Sequence, residues 1–177
     1  MALVTFLRGV NVGGYRTFRP SLLACQLQDY GVVNIGAAGT FVISKPVSQT
    51  WLRSELLRRL PFEAEVMICT EQELLAAAAA NPFDGVPVRF EIIRFVSVLA
   101  KRPRLLPALP LRLPADGRWV LKILSIHGRF VFGVYRREMK AISILGTMDK
   151  LFGTPVTTRN WNTVTAILSL LEKQPKA

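Results

Sequence analysis

Two short segments of this 177-residue chain combine residue types and spacing from which a ligand site can be built. The first is Arg8-Gly9-Val10-Asn11-Val12-Gly13-Gly14. A glycine-rich turn after a strand lets backbone N–H groups converge on an anion, and an arginine beside it adds a planar positive fork. Arg8, Asn11, Gly13 and Gly14 are therefore candidate ligand-binding residues. The segment is not a P-loop, which ends in Gly-Lys-Ser/Thr, and it lacks the glycine spacing of a dinucleotide fold. A turn that only reverses the chain has the same composition. The second segment is Thr157-Thr158-Arg159-Asn160-Trp161-Asn162-Thr163. Asn160 is placed to cap a helix whose free N–H groups and dipole favour a nearby anion, and Arg159 stands beside it. Arg159, Asn160, Trp161 and Asn162 complete the candidate set. The plainer reading of the same residues is Asn160 as a cap, Trp161 as a packing residue and Arg159 in solvent.

Acid–base chemistry has few candidates. The sole histidine, His127, stands beside Gly128 between two strand-like runs and reads as a turn residue rather than a general base. Without it the usual Ser-His and Cys-His schemes have no base, and no carboxylate cluster has metal-ligand spacing. Asp149 and Glu138 remain as acids that a fold could bring in, but no spacing places either beside the two segments. No metal or cofactor is expected, and catalytic residues are not specified.

The elements that must hold these segments follow from periodicity. Ala2 to Leu7 is a buried strand leading into the first segment. Pro20 opens a helix with Leu23, Leu27 and Tyr30 on one face and Gly31 as its stop. Val32 to Ile35 and Thr40 to Ser44 are short strands, Leu52, Leu56 and Leu60 mark a helix stopped by Pro61, and Glu63 to Cys69 is a strand with one partly wet side. Thr70-Glu71-Gln72-Glu73 is a capping box that starts an alanine-rich bridging helix ended by Asn81-Pro82. In the second half, Ile92 to Leu99 is a strand, Arg102 to Pro114 is a proline-interrupted stretch without regular helix, and Arg118 to Ile126 and Arg129 to Tyr135 form a hairpin. Ile144 to Phe152 is a weak helix ended by Gly153, Pro155 to Thr158 a strand, and Trp161 to about Glu172 the last helix. The expected class is α+β: tandem ferredoxin-like (βαββαβ) halves with antiparallel sheets and an extra C-terminal helix. Residues 1–80 form the first half with the bridging helix, and residues 81–177 the second, degraded half.

These residues resemble a family of bacterial proteins, the domain of unknown function 1697 family. Its members carry R-G-x-N-V-G-G after the first strand and T-T-R-N-W-N-T near the end, which stand here at Arg8 to Gly14 and Thr157 to Thr163. Asn81-Pro82-Phe83 also looks like the family pattern. The resemblance spans nearly the whole chain and implies a two-part α/β fold, but no activity. The chain departs from the pattern where most members have Gln-Ser-Gly-Asn after the second strand; here Ala37-Ala38-Gly39-Thr40 takes that place, and only the glycine turn survives.

Charge narrows the partners. The formal charge is +11, with eight basic against seven acidic residues up to Phe90 and fifteen against five after it. A basic second half attracts phosphorylated ligands or polyanions, although an arginine-rich composition alone gives the same excess. Cys25 and Cys69 read as reduced, packed thiols, and the opening run has neither a basic leader nor a cleavage site, so a cytoplasmic protein without a membrane span is expected. Three readings stand. The first is a binding protein for an anionic or nucleotide-like small molecule at a site formed by the two segments. The second is an enzyme acting on a phosphorylated or anionic substrate. The third is nucleic-acid binding through the basic second half, with Phe130 and Phe132 stacking bases. Oligomeric state is not specified.

Overall fold

The structure is a computed structural model that describes residues 1–174. It is a mixed α+β protein with two antiparallel sheets, one of four strands and one of five. The chain divides into two compact units, Met1–Leu75 together with the chain from Thr165 onward, and Ala76–Val164. It leaves the first unit within helix α3 (Glu71–Ala79) and returns within helix α6 (Trp161–Glu172).

The first unit contains β1 (Leu3–Leu7), α1 (Pro20–Gln26), β2 (Val32–Asn34), β3 (Thr40–Ile43), α2 (Gln49–Arg59) and β4 (Val66–Thr70). Its sheet has the order β2-β3-β1-β4 with every neighbouring pair antiparallel. Pro20 starts α1 because its fixed φ suits the first helical turn. The helix tightens into a 3-10 turn at Gln28–Tyr30, and Gly31 ends it at φ +64°, a conformation cheap only for glycine. At the start of α2, Ser48 Oγ accepts the Trp51 backbone N–H at 3.1 Å. Leu23, Leu27, Leu52 and Leu56 pack with Leu3, Leu7, Ile43 and Ile68 into one core. Burying each such side chain contributes about 2 kcal/mol. Glu55 pairs with Arg58 at 2.9 Å and also with Arg59, and these hydrogen bonds hold its carboxyl below the usual range.

Three expectations for this unit are corrected. The fourth strand begins at Val66 rather than Glu63, because the ladder with β1 runs only from Leu3↔Thr70 to Leu7↔Val66. Its second side is not wet either: Met67 is 2% exposed, so side chains on both faces of β4 are buried. Cys69 is buried, but Cys25 stands exposed on α1 and is not a packed thiol.

The capping box at the start of α3 forms as expected. Glu73 Oε2 accepts the Thr70 N–H at 2.8 Å, and Thr70 Oγ1 accepts the Glu73 N–H at 3.2 Å.

The second unit contains β5 (Ile92–Leu99), β6 (Leu111–Leu113), β7 (Leu121–His127), β8 (Phe130–Arg136), α4 (Met139–Leu145), α5 (Met148–Phe152) and β9 (Val156–Asn160). Its sheet order is β6-β7-β8-β5-β9, antiparallel throughout. The four strands β7-β8-β5-β9 repeat the order of the first sheet, with β6 added at the edge. No helix joins β5 to β7; the proline-interrupted stretch supplies β6 instead. The weak helix expected over Ile144 to Phe152 is two short helices, α4 and α5, separated at Gly146 and Thr147 and closed by Gly153 at φ +64°. They cover a core of Phe95, Leu99, Leu121, Ile123, Val131, Met148 and Phe152.

His127 closes β7 opposite Phe130, so the hairpin turn is Gly128-Arg129 rather than His127-Gly128. Gly128 takes φ +63°, which a two-residue turn readily assigns to glycine. Gly133 is required by packing: a Cβ there would sit 2.3 Å from the Lys122 carbonyl oxygen and 2.6 Å from Phe95 Cζ. The register of β7 against β8 shifts between Ile123 and Ser125 beside it. Among the described residues, no helix is long and apolar enough to cross a membrane.

Candidate ligand site

The two candidate segments belong to different units. In the first unit, Arg8 follows β1 directly, and its backbone N–H donates to the Glu65 carbonyl at 3.0 Å. Its guanidinium pairs with the Glu65 carboxylate at 2.6 Å, with the arginine side chain 35% exposed. Asn11 is committed to the fold. Its Nδ2 donates to the Ala37 carbonyl at 2.8 Å, its Oδ1 accepts the Phe18 N–H at 2.9 Å, and it holds φ +54°. It thus ties the segment to the Ala37-Ala38-Gly39 turn. Gly13 and Gly14, at φ +56° and +77°, form the tip of a small turn closed by the Tyr15 N–H to Val12 carbonyl bond at 2.9 Å. An open cavity of about 670 Å³ lies beside them, lined by Arg8, Arg16, Glu63 and Glu65 among others. Two arginines against two glutamates give it no net preference for an anion.

In the second unit, β9 carries Arg159 into the interior. The residue is 7% exposed, and its guanidinium donates to Thr157 Oγ1 and to the Thr158 carbonyl, both at 2.9 Å. Burial pushes its pKa down to about 10. It shares a sheet face with Val96, its partner across β5, and with Phe132 next to that. The reading that left Arg159 in solvent is therefore corrected. Asn160 caps α6, accepting the Thr163 N–H at 2.8 Å and the Thr163 hydroxyl at 2.9 Å on its Oδ1. Trp161 packs edge-on against Phe83 at 5.0 Å and Phe132 at 6.2 Å between ring centroids.

Asn160, Trp161 and Asn162 line a second cavity, of about 720 Å³, at one end of the five-stranded sheet. Its other walls are the starts of β5 and α4, the end of β8, and the irregular segment 85–91, which we call the strap. Two arginines hold the strap. Arg94 donates to the Val86 carbonyl and lies 5.5 Å over the Phe83 ring. Arg137 donates through Nε to the Phe90 carbonyl at 3.2 Å and stacks 4.7 Å over the Phe90 ring. Among the described residues, the buried Nε of Arg94 has no hydrogen-bond partner. Arg89, Arg94 and Arg137 thus give the cavity three positive groups, and Glu138, its one carboxylate, pairs with Arg118 at 3.0 Å. Tyr135 adds a phenol that burial keeps protonated, against the opposing pull of Arg137. The rim is apolar and open, with Val88, Phe90 and Met139 each at least 80% exposed.

Several expected roles are not supported by this geometry. Phe130 and Phe132 are 2% and 0% exposed, so neither can stack a base, and the nucleic-acid reading loses its platform. The His127 ring packs near Phe132 at 5.8 Å. Asp149 accepts the Val156 N–H at 3.0 Å, which ties it to the chain before β9. Sequence reasoning missed Arg89, Arg94 and Arg137, because no motif surrounds them. The one available hint is an irregular stretch carrying Gly85, Pro87, Arg89 and Phe90 between Asn81-Pro82 and β5.

The family model described as "Protein of unknown function (DUF1697)" matches residues 1–105. Among solved structures, the chain is similar to the conserved bacterial protein SP0830 from Streptococcus pneumoniae. The TM-score is 0.56 at 15% identity, over 96% of this chain and 98% of that one, a likeness that speaks to the fold alone. No curated protein matches the sequence.

Proposed function

The chain belongs to the DUF1697 family, whose members have no assigned activity, and on that premise we propose that it is a binding protein for an anionic, nucleotide-like small molecule. The carrying observation is that Asn160, Trp161 and Asn162 line one cavity with Arg89, Arg94 and Arg137. A ligand phosphate meets the positive end of α6 together with guanidinium groups, each charged hydrogen bond to a guanidinium contributing about 1.5–3 kcal/mol. A ring system lies against Phe90, Tyr135 or Trp161, which suits an aromatic body with a charged end. The volume matches the range of small-molecule and cofactor sites.

The reading carries with it two tandem ferredoxin-like halves, supported by the repeated strand order, and a cytoplasmic setting, supported by two free cysteines. In this reading Asn11, Gly13 and Gly14 shape the first unit's loop, and Arg8 serves mainly as the partner of Glu65. An enzymatic second reading draws on Glu138, the carboxylate in the cavity, as a proton donor or acceptor.

Calorimetric titration with adenosine triphosphate, guanosine triphosphate and adenosine tests the proposal. We expect at least one nucleotide to bind, adenosine to bind far more weakly, and Arg137→Gln to weaken the nucleotide about tenfold or more. Equal binding of nucleotide and nucleoside, no binding of either, or an unaffected Arg137→Gln protein would refute it. Turnover that disappears in Glu138→Gln with binding intact would favour the enzymatic reading.

A further inference from the structure

A separate cavity of about 340 Å³ lies on the other side of the strap, sharing Arg89 and Ile92 with the first and lined also by Trp119, Lys122, Val134 and Arg136. The sheet beside it is unusual in charge. Antiparallel pairing sets Arg112 of β6 directly opposite Lys122 of β7, and like charges at such a position destabilise a sheet. Arg136 of β8 joins them from the neighbouring strand. Among the described residues, none of these three cations has an ion pair. Burial and the neighbouring positive charges of Arg112 and Arg136 lower the Lys122 pKa.

Trp119 is what makes the cluster tolerable. Its ring receives the Lys122 ammonium at 4.3 Å and the Arg136 guanidinium at 4.1 Å from its centroid, while its carbonyl accepts the Arg136 Nε–H at 2.8 Å. Cation–π contacts soften the repulsion but leave the charge in place. The one carboxylate on the cavity wall, Glu91, is exposed and pairs with none of the three. Sheet pairing and an aromatic clamp therefore hold three positive groups against one another, beside a cavity large enough for a phosphate-bearing group.

We infer that this cavity is a second anion site, one that binds a phosphoryl group through Lys122 and Arg136, with Arg112 adding its charge from the adjoining strand. Arginine supplies a planar fork and lysine a point charge, the combination suited to phosphate oxygens. The phosphate can come from a small phosphorylated molecule or from a nucleic-acid backbone, and the inference does not depend on what the first cavity binds. The site needs no stacking from Phe130 or Phe132.

Titration with inorganic pyrophosphate and, separately, with a short single-stranded oligodeoxythymidine, followed by calorimetry and Trp119 emission, tests it. We expect saturable binding of pyrophosphate, weakened about tenfold or more by Lys122→Met and restored by Lys122→Arg. Lys150→Gln, which removes an exposed cation on α5 that lines neither cavity, should leave this binding unchanged. If Lys122→Met does not fold, Lys122→Gln serves in its place. Binding of the oligonucleotide but not pyrophosphate, with the same dependence on Lys122, would assign the phosphate to a nucleic-acid backbone. No binding of either, or binding that Lys122→Met and Lys122→Gln leave intact, would overturn the inference.

Discussion

Replacing Arg159 separates a buried structural cation from a ligand-binding one. Burial alone lowers its pKa to about 10, which corresponds to about 3 kcal/mol spent on keeping the charge out of water. Against this stand the hydrogen bonds to Thr157 Oγ1 and the Thr158 carbonyl, each worth about 1.5–3 kcal/mol for a charged donor. Arg159→Met removes both contributions and keeps much of the volume, so the expected loss is modest, about 0–3 kcal/mol. Arg159→Lys keeps the buried charge and is more strongly hydrated, so it should be less stable than Arg159→Met by about 1 kcal/mol or more. Chemical denaturation of the three proteins measures both values.

The sign of the pH dependence is also determined. A base with a depressed folded-state pKa penalises folding fully below that pKa, and the penalty fades only as pH rises above about 10 toward the ordinary arginine range. The stability difference between the parent and the Arg159→Met variant should therefore be flat across roughly pH 6 to 9. A surface arginine awaiting a ligand gives a different result: Arg159→Met and Arg159→Lys both within about 0.5 kcal/mol of the parent. That outcome would show the burial argument to be wrong.

Two further substitutions test the positions that shape the sites. Gly133→Ala places a Cβ against the Lys122 carbonyl and the Phe95 ring, so about 2 kcal/mol or more of stability should be lost, measured as a lower denaturation midpoint. Asn11→Ala removes the bonds to Ala37 and Phe18 and puts an alanine at positive φ, so it should cost about 2–4 kcal/mol, whereas Asn11→Gly should cost less because glycine accepts the same φ.

Local rules are legible in this chain. The Thr70 to Glu73 capping box, the Pro20 start and Gly31 stop around α1, the last helix from Trp161 to Glu172 and its Asn160 cap all depend on residues within a few positions of one another. Such interactions are encoded where they act. Expectations that fail depend on neighbours distant in sequence. Alternation predicts that Met67 meets water, yet the second face of its sheet is covered; β4 begins late because its partner β1 ends at Leu7. Phe130 and Phe132 alternate as a stacking platform would, but packing buries both.

The candidate site divides in the same way. Its residue types, and the helix start with its positive end, can be read from Thr157 to Thr163 alone. Arg94 and Arg137 become part of the cavity only because β5 pairs with β8 and both arginines reach the strap; the Arg112, Lys122 and Arg136 cluster exists only because β6, β7 and β8 lie side by side. Sequence by itself determined where helices start and stop and which segments are polar, because capping, proline and glycine act over a single turn. Tertiary structure alone decided which arginines share a cavity and which one is buried, because cross-strand pairing joins positions that no periodicity along the chain connects.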